Sequence, residues 1–205
     1  MENVIELTEV TYDQKKLQKW YLEVKKHTVD KGLFVYQTQQ RSTLPYYKWN
    51  GRRLNNDILK ESNYPNEYAN CDEVIELYGL FNFNERPSCA LVIYEPNFIF
   101  NPHKDEGRTS YIAFPIFPDG GGAGIDFYST EVLSEDGKNI WLDKHDDKYS
   151  IGHHKYSTKH PTLINVENPH GCRNDNRDRV YLQIDIYEKF NSIKQRIKDG
   201  IFFTK

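Results

Sequence analysis

The sequence lacks any apolar run near the roughly 18 residues that a membrane-spanning helix needs. Its start, Met1-Glu2-Asn3-Val4, has neither the basic opening nor the apolar stretch of a signal peptide. Cysteine is scarce: Cys71, Cys89 and Cys172 are odd in number and stand at no metal-binding spacing. Reduced thiols in a cytoplasm are therefore expected, rather than a disulfide framework. Excess positive charge is missing too. A net charge of −3 and an isoelectric point near 6.2 provide no basic field for a long phosphate backbone, which argues against duplex nucleic acid as a partner. Internal repeats and low-complexity segments are absent. The run Gly120-Gly121-Gly122 is followed by no Lys-Ser/Thr pair and no helix start, so it reads as a tight turn rather than a phosphate cradle.

Aromatic residues are abundant. With 15 Tyr, 11 Phe and 3 Trp they reach 14% of the 205 residues, and they supply burial that a hydrophobic content of only 38% would not. The length suits one domain with a sizeable core. Leu17, Trp20, Tyr21 and Val24 recur at i, i+3, i+4 and i+7, which predicts an amphipathic helix over about 12–27, with Thr11 and Asp13 as candidate caps. From Lys31 to about Asn70 no regular element is legible. A short helix is expected over Asp72–Leu80, with Val74, Ile75, Leu77 and Tyr78 on its buried side.

The second half reads as strands. Cys89–Tyr94, Thr109–Phe117, Ile125–Tyr128, Thr162–Val166 and Val180–Tyr187 are short, β-branched and aromatic, with turn-rich stretches between them. Lys144–Lys159 is polar and reads as a long excursion or an exposed hairpin. A terminal helix over about Glu188–Lys198 spaces Phe190, Ile193 and Ile197 on one side and is closed by Gly200. Helix first, then many short strands, predicts an α+β protein dominated by β and built around an antiparallel sandwich or barrel.

One short motif carries chemistry. On a strand, His103 and Asp105 point to the same face and could aim an imidazole and a carboxylate at one ion. A second histidine would complete a facial triad suited to Fe(II), with open positions opposite. The pair alone is weak, because seven histidines among 30 acids in 205 residues should yield about one such spacing by chance, and His145-Asp146-Asp147 supplies a second. That second pair has no apolar strand beside it and reads as a solvated loop. His153, His154 and His160 cluster among Lys, Ser and Gly and read as part of the exposed hairpin. His103 instead follows Phe98-Ile99-Phe100 and precedes a strand of good length.

Two strand-like runs flank Gly171–Asp178, so a hairpin is expected there, with His170 and Arg179 facing each other across it. The run Arg179–Ile186 alternates strictly: Val180, Leu182, Ile184 and Ile186 face one way, and Arg179, Tyr181, Gln183 and Asp185 the other. An arginine near a metal histidine is what a dicarboxylate cosubstrate would need, one end chelating the metal and the other in the guanidinium fork. Against this stands a surface arginine at a turn that already holds Arg173 and Arg177, and spacing alone leaves the two even.

Together these residues resemble the Fe(II)- and 2-oxoglutarate-dependent oxygenases. The signature His-x-Asp, a distant His and then a basic residue about ten positions on is met by His103, Asp105, His170 and Arg179 in order. The context is similar to the prolyl-4-hydroxylase-like branch. Tyr94 stands nine positions before His103 and Phe100 three before it. Tyr111–Ile116, the glycine run and Ile125-Asp126-Phe127 resemble that branch's strand, turn and strand, and His170-Gly171-Cys172 its distal histidine segment. The likeness covers about residues 89–188.

The resemblance implies a double-stranded β-helix (jelly-roll, cupin-like) core over about 87–188 of a single 1–205 domain. An N-terminal helical elaboration over 1–86 and a C-terminal helix over about 188–200 would flank it. It implies Fe(II) held by His103, Asp105 and His170, with 2-oxoglutarate and O2 as cosubstrates. Arg179 would bind the far carboxylate, and Tyr94 would either add a hydrogen bond or serve as a core tyrosine. The implied reaction hydroxylates a C–H bond, coupled to decarboxylation of 2-oxoglutarate to succinate and CO2. The substrate would be a peptide prolyl or other protein side chain, or a small molecule. Asp185 or Gln183 could orient a ligand, though a solvated strand face is the plainer expectation, and Arg108 and Tyr111 could line the substrate mouth. The chain departs from the branch where lysine usually stands in place of Arg179, where Ser or Thr often stands in place of Tyr181, and over 128–162, which does not align. The alternatives are a non-catalytic β-helix binding module and a cupin-type metal enzyme that does not use 2-oxoglutarate.

Overall fold

The computed structural model describes residues 3–28, 35–36, 51–54, 72–85, 87–94, 96–105, 107–118, 124–132 and 147–204. Most of the unpatterned 31–70 stretch, Cys71, the glycine run 120–122 and the pair His145-Asp146 lie outside these residues. Among the described residues no helix is long and apolar enough to cross a membrane.

Two antiparallel sheets face each other, and helices cover the outer side of the larger one. Its seven strands run in the order β1 (Val4–Glu6), β9 (Thr162–Asn165), β6 (Ser110–Phe117), β11 (Arg179–Ile186), β4 (Ser88–Tyr94), β3 (Gly51–Leu54) and β2 (Val35–Tyr36). The smaller sheet runs β5 (Ile99–His103), β10 (His170–Arg173), β7 (Gly124–Tyr128) and β8 (Ser150–Lys155). The predicted α+β class holds, and the architecture is the expected double-stranded β-helix.

Strand alternation builds two cores. Val180, Leu182, Ile184 and Ile186 of β11 join Cys89, Leu91 and Ile93 of β4 and Ile112, Phe114 and Ile116 of β6 in a core under the helices. Their neighbours Tyr181, Ala90, Val92, Tyr94, Tyr111 and Ala113 turn inward, between the sheets. Every residue of β11 is buried as a result. Each large aliphatic side chain so covered contributes about 1.5–3 kcal/mol.

α1 (Gln14–Thr28) buries Leu17, Trp20, Tyr21 and Val24 against this outer face, as their spacing predicts. Its cap is Asp13, whose Oδ1 accepts the Lys16 N–H at 3.0 Å. A bulge between β6 and β11 at Val180/Tyr181 interrupts the ladder. The nearby β6 carbonyls are taken by helix-side donors: Tyr12 Oη bonds Pro115 O at 2.8 Å, and Gln18 Nε2 bonds Ile116 O at 2.9 Å. α2 (Asp72–Tyr78) buries Val74 and Leu77 but leaves Ile75 49% exposed, because the buried stripe runs on to Phe81 and passes Ile75 by. α3 (Phe190–Lys198) ends as expected at Gly200, with φ +66°. Gly200 N bonds Ile197 O and Ile201 N bonds Arg196 O, both at 3.0 Å, a left-handed cap that satisfies two terminal carbonyls.

The expected hairpin between His170 and Arg179 does not form. β10 pairs with β5 and β7 in the small sheet, while β11 pairs with β4 and β6 in the large one. Residues 174–178 instead carry the chain from one sheet to the other. They are anchored where Asn174 N bonds Phe98 O at 2.8 Å and Asn97 N bonds Asp175 O at 2.6 Å. A hairpin and a sheet-crossing corner share the same local signature of strand, polar turn and strand, and the partner strands decide between them. The polar excursion also resolves differently: Ser150–Lys155 is the edge strand β8, paired with β7.

Candidate metal centre and adjoining cleft

His103 ends β5, and its cross-strand partner in the small sheet is His170 on β10. The ladder register thus sets the two imidazoles together, with ring centroids 4.3 Å apart. Phe100 packs edge-on against His103 at 4.1 Å. Asp105 lies just past the strand end, tied back by its N–H to Val166 O at 3.3 Å. Asp105 Oδ1 lies 3.4 Å from His103 Nε2, and Oδ2 lies 3.9 Å from His170 Nε2. One ligand atom from each of the three falls within 4.8 Å of the others, the only such cluster among the described residues.

The protonation states suit a cation. His170 Nδ1 stands 3.0 Å from the carbonyl oxygen of Asn168, which can only accept, so Nδ1 carries the proton and Nε2 presents its lone pair to the cluster. Burial, followed by the neighbouring His103, pushes His170 down to about 3, so the ring is neutral at ordinary pH. Burial also pushes the Asp105 carboxyl up. The hydrogen bond with His103 and the charge of Arg108 outweigh it and hold the group well below the usual carboxylate range. Two imidazole nitrogens and one carboxylate oxygen form a donor set that fits a borderline divalent ion such as Fe(II).

Arg108 approaches from the segment after Asp105. Its Nε donates to Asp105 Oδ2 at 2.5 Å and its Nη1 donates to Asp185 Oδ1. Asp185 also accepts from Gln183 Nε2 at 2.5 Å and from Ser88 Oγ at 3.3 Å. Gln183 and Asp185 are 2% and 3% exposed, so the expectation of a solvated strand face is wrong. Both faces of β11 are covered, one by helices and one by the small sheet. Arg108 is bound into this network, and Tyr111 packs against it with the guanidinium 5.0 Å from the ring centre.

Arg179 begins β11 and is 2% exposed, not a surface residue beside Arg173 and Arg177. Its Nη1 donates to Gly124 O at 2.8 Å, while the buried Nε has no hydrogen-bond partner. Tyr94, Tyr156 and Tyr181 surround the guanidinium at 5.3, 4.8 and 5.0 Å from their ring centres. Among the described residues no carboxylate pairs with it. A buried cation without an anion is costly to leave, and supplying the anion would relieve that cost.

The tyrosines are paired among themselves, Tyr94 Oη with Tyr181 Oη and Tyr111 Oη with Tyr156 Oη, each at 3.2 Å. Burial pushes the Tyr94 and Tyr111 phenols well above their usual range, so they stay neutral. Cys172, pushed up to about 11 by burial, stays a thiol. Tyr94, Tyr111, Tyr181 and Cys172 line a cleft of about 280 Å3, open solvent included, together with His170, Arg108 and Arg179.

Among the described residues, His153, His154 and His160 stay apart from the cluster. His153 Nδ1 meets Asp126 Oδ1 at 2.7 Å, and His160 Nδ1 donates to Val10 O at 2.7 Å. Tyr156 is the residue that the sequence pattern missed. It stands beyond β8, in the stretch where the resemblance does not align, and nothing local marks it.

No family model matches the chain, and no curated protein sequence does. Solved structures do. A Pseudomonas putida prolyl-4-hydroxylase superposes with a TM-score of 0.50 at 10% identity, over 90% of this chain and 91% of that one. A prolyl hydroxylase from Trichoplax adhaerens, in complex with a hypoxia inducible factor oxygen degradation domain peptide fragment, gives 0.48 at 12% identity, over 90% and 83%. HygX from Streptomyces hygroscopicus, with nickel and 2-oxoglutarate bound, gives 0.47 at 11%, over 91% and 82%. At these identities the likeness concerns the fold, and by it the chain is a double-stranded β-helix protein with the fold of the Pseudomonas putida prolyl-4-hydroxylase.

Proposed function

We propose that this chain is an Fe(II)- and 2-oxoglutarate-dependent dioxygenase that hydroxylates a C–H bond, with 2-oxoglutarate oxidised to succinate and CO2. One observation carries the reading: His170 of the His-Asp-His cluster and a buried Arg179, which no carboxylate pairs among the described residues, line the same cleft. His103 Nε2, His170 Nε2 and one oxygen of Asp105 would hold the metal. Arg179, its Nε free and its Nη1 steadied by Gly124 O, would pair with the far carboxylate of the cosubstrate. When bound, the iron activates oxygen with electrons drawn from 2-oxoglutarate. The protein's share is to fix the donor atoms, to grip the dicarboxylate at its charged end, and to line the cleft with aromatic rings that keep water out. Tyr94, whose hydroxyl already meets Tyr181, has one further hydrogen-bonding capacity to offer the cosubstrate.

The chain would act as one oxygenase domain over 1–205. Cys89 and Cys172 as free thiols suit a reducing cytoplasm. A peptide prolyl or other side chain is the proposed substrate, supported by the Tyr94–Asp105 context and by the fold shared with a prolyl-4-hydroxylase.

The test is cosubstrate turnover. Iron-loaded protein given 2-oxoglutarate in air should release succinate slowly even without substrate, and total absence of succinate would refute the enzyme reading. Arg179→Ala should keep the metal and weaken 2-oxoglutarate binding by at least about thirtyfold, roughly 2 kcal/mol, as for truncation of a buried ion pair. Unchanged cosubstrate affinity would instead favour a metal enzyme that does not use 2-oxoglutarate.

A further inference from the structure

We infer that Arg108 and Asp185 are a positioning pair that confines Asp105 to binding metal through a single oxygen. The inference rests on the metal-centre reading above. Asp105 is poorly restrained by its backbone, since it lies beyond the end of β5 and is tied by one N–H to Val166 O at 3.3 Å. A carboxylate so placed could turn and chelate through both oxygens. In a six-position shell, two imidazoles and one carboxylate oxygen take three places, and a chelating 2-oxo acid takes two more. One place is left for a small ligand. Chelation by Asp105 would fill it.

The geometry blocks that turn. Both Asp105 oxygens lie near the histidines, Oδ1 3.4 Å from His103 Nε2 and Oδ2 3.9 Å from His170 Nε2, but Arg108 Nε engages Oδ2 at 2.5 Å and leaves Oδ1 for the ion. The guanidinium is itself held from behind by Asp185 Oδ1. Asp185 is fixed on β11, whose two flanking strands run the length of the large sheet, and it is held there by Gln183 and Ser88. Only a planar fork spans two carboxylates in this way, and a lysine ammonium would serve one of them. The central strand of the large sheet thus sets the orientation of a metal ligand that lies off the strand ladder.

The test uses the full chain without turnover. Under anaerobic conditions Fe(II)-loaded protein is saturated with 2-oxoglutarate and titrated with nitric oxide, a probe of the last open position. Wild type should take up nitric oxide. Arg108→Lys and the near-isosteric Asp185→Asn should still bind 2-oxoglutarate, and their nitric oxide affinity should fall about tenfold or more, the scale of losses on removing groups behind a ligand. Folded variants with wild-type nitric oxide affinity overturn the inference and leave the metal-centre reading intact. Wild type that takes neither Fe(II) nor 2-oxoglutarate overturns both. If neither variant folds, the metal-loaded wild type decides. A structure with one Asp105 oxygen on the ion and the other on Arg108 supports the pair, and one with both oxygens on the ion overturns it.

Discussion

Arg179 and His170 show how burial selects charge states in the cleft. Arg179 keeps its charge in an apolar setting by facing three tyrosine rings and one carbonyl, none of which neutralises it. His170 gives up its charge instead, pushed down to about 3 by burial and then by His103. The unfolded chain protonates such a histidine near about 6.5. Between those values the unfolded state therefore holds the extra proton. Stability from this group is complete above about pH 6.5 and drains away as pH falls toward 3. Metal-free protein moved from about pH 7.5 to about pH 5.5 should lose about 1 kcal/mol on this account, or 2–4 °C in Tm. Thermal melts at the two pH values test it: His170→Asn should remove that part of the drop, and an equal drop in both proteins would contradict it.

At the scale of elements, β7 and β8 do more than extend the small sheet. Gly124 of β7 approaches β8 so closely that a Cβ there would lie 2.3 Å from His154 O and 2.6 Å from His153 Cε1. Its carbonyl is also the one that holds Arg179. Gly124→Ala must push the edge strand away, because a backbone oxygen cannot swing aside as a side chain can. The expected cost is about 1–3 kcal/mol, with a weaker hold on 2-oxoglutarate alongside it. A thermal melt and a cosubstrate titration check the two effects, and a variant as stable as wild type would mean that β8 docks differently. Element identity was legible from period alone in α1, α3 and the inner strands β4, β6 and β11. The crossing after β10 was not, since a hairpin and a sheet-to-sheet corner read alike in Gly171–Asp178. Ile75 was misplaced for a related reason: a two-turn helix offers too few positions to settle which of two adjacent apolar residues faces in.

The whole molecule holds its site between two sheets, with His103 and His170 from the small one and Arg179 and Asp185 from the large one. A ligand that bridges them should brace the sandwich against opening. Fe(II) and 2-oxoglutarate, each at about a hundred times its dissociation constant, should each add about 2.7 kcal/mol, which raises Tm by about 5–10 °C per ligand for a chain of this size. A chelator should reverse the shift, which differential scanning calorimetry would show. A rise with metal alone that 2-oxoglutarate does not extend would count against Arg179 as the carboxylate site.

Periodicity alone specified which strand faces are apolar, because side-chain direction on a strand repeats every two residues whatever the partner. It therefore placed Arg179, Tyr181, Gln183 and Asp185 on one face, whereas Asp105, expected on one strand with His103, lies just past the end of β5. Three matters were decided only by tertiary packing. His170 meets His103 across a ladder joining strands far apart in the chain. Asp185 is buried rather than solvated, because its face of the large sheet is the one turned toward the small sheet. Arg108, while lining the cleft, is engaged by Asp105 and Asp185. Each depends on which surface comes to lie opposite, and local periodicity carries no record of that.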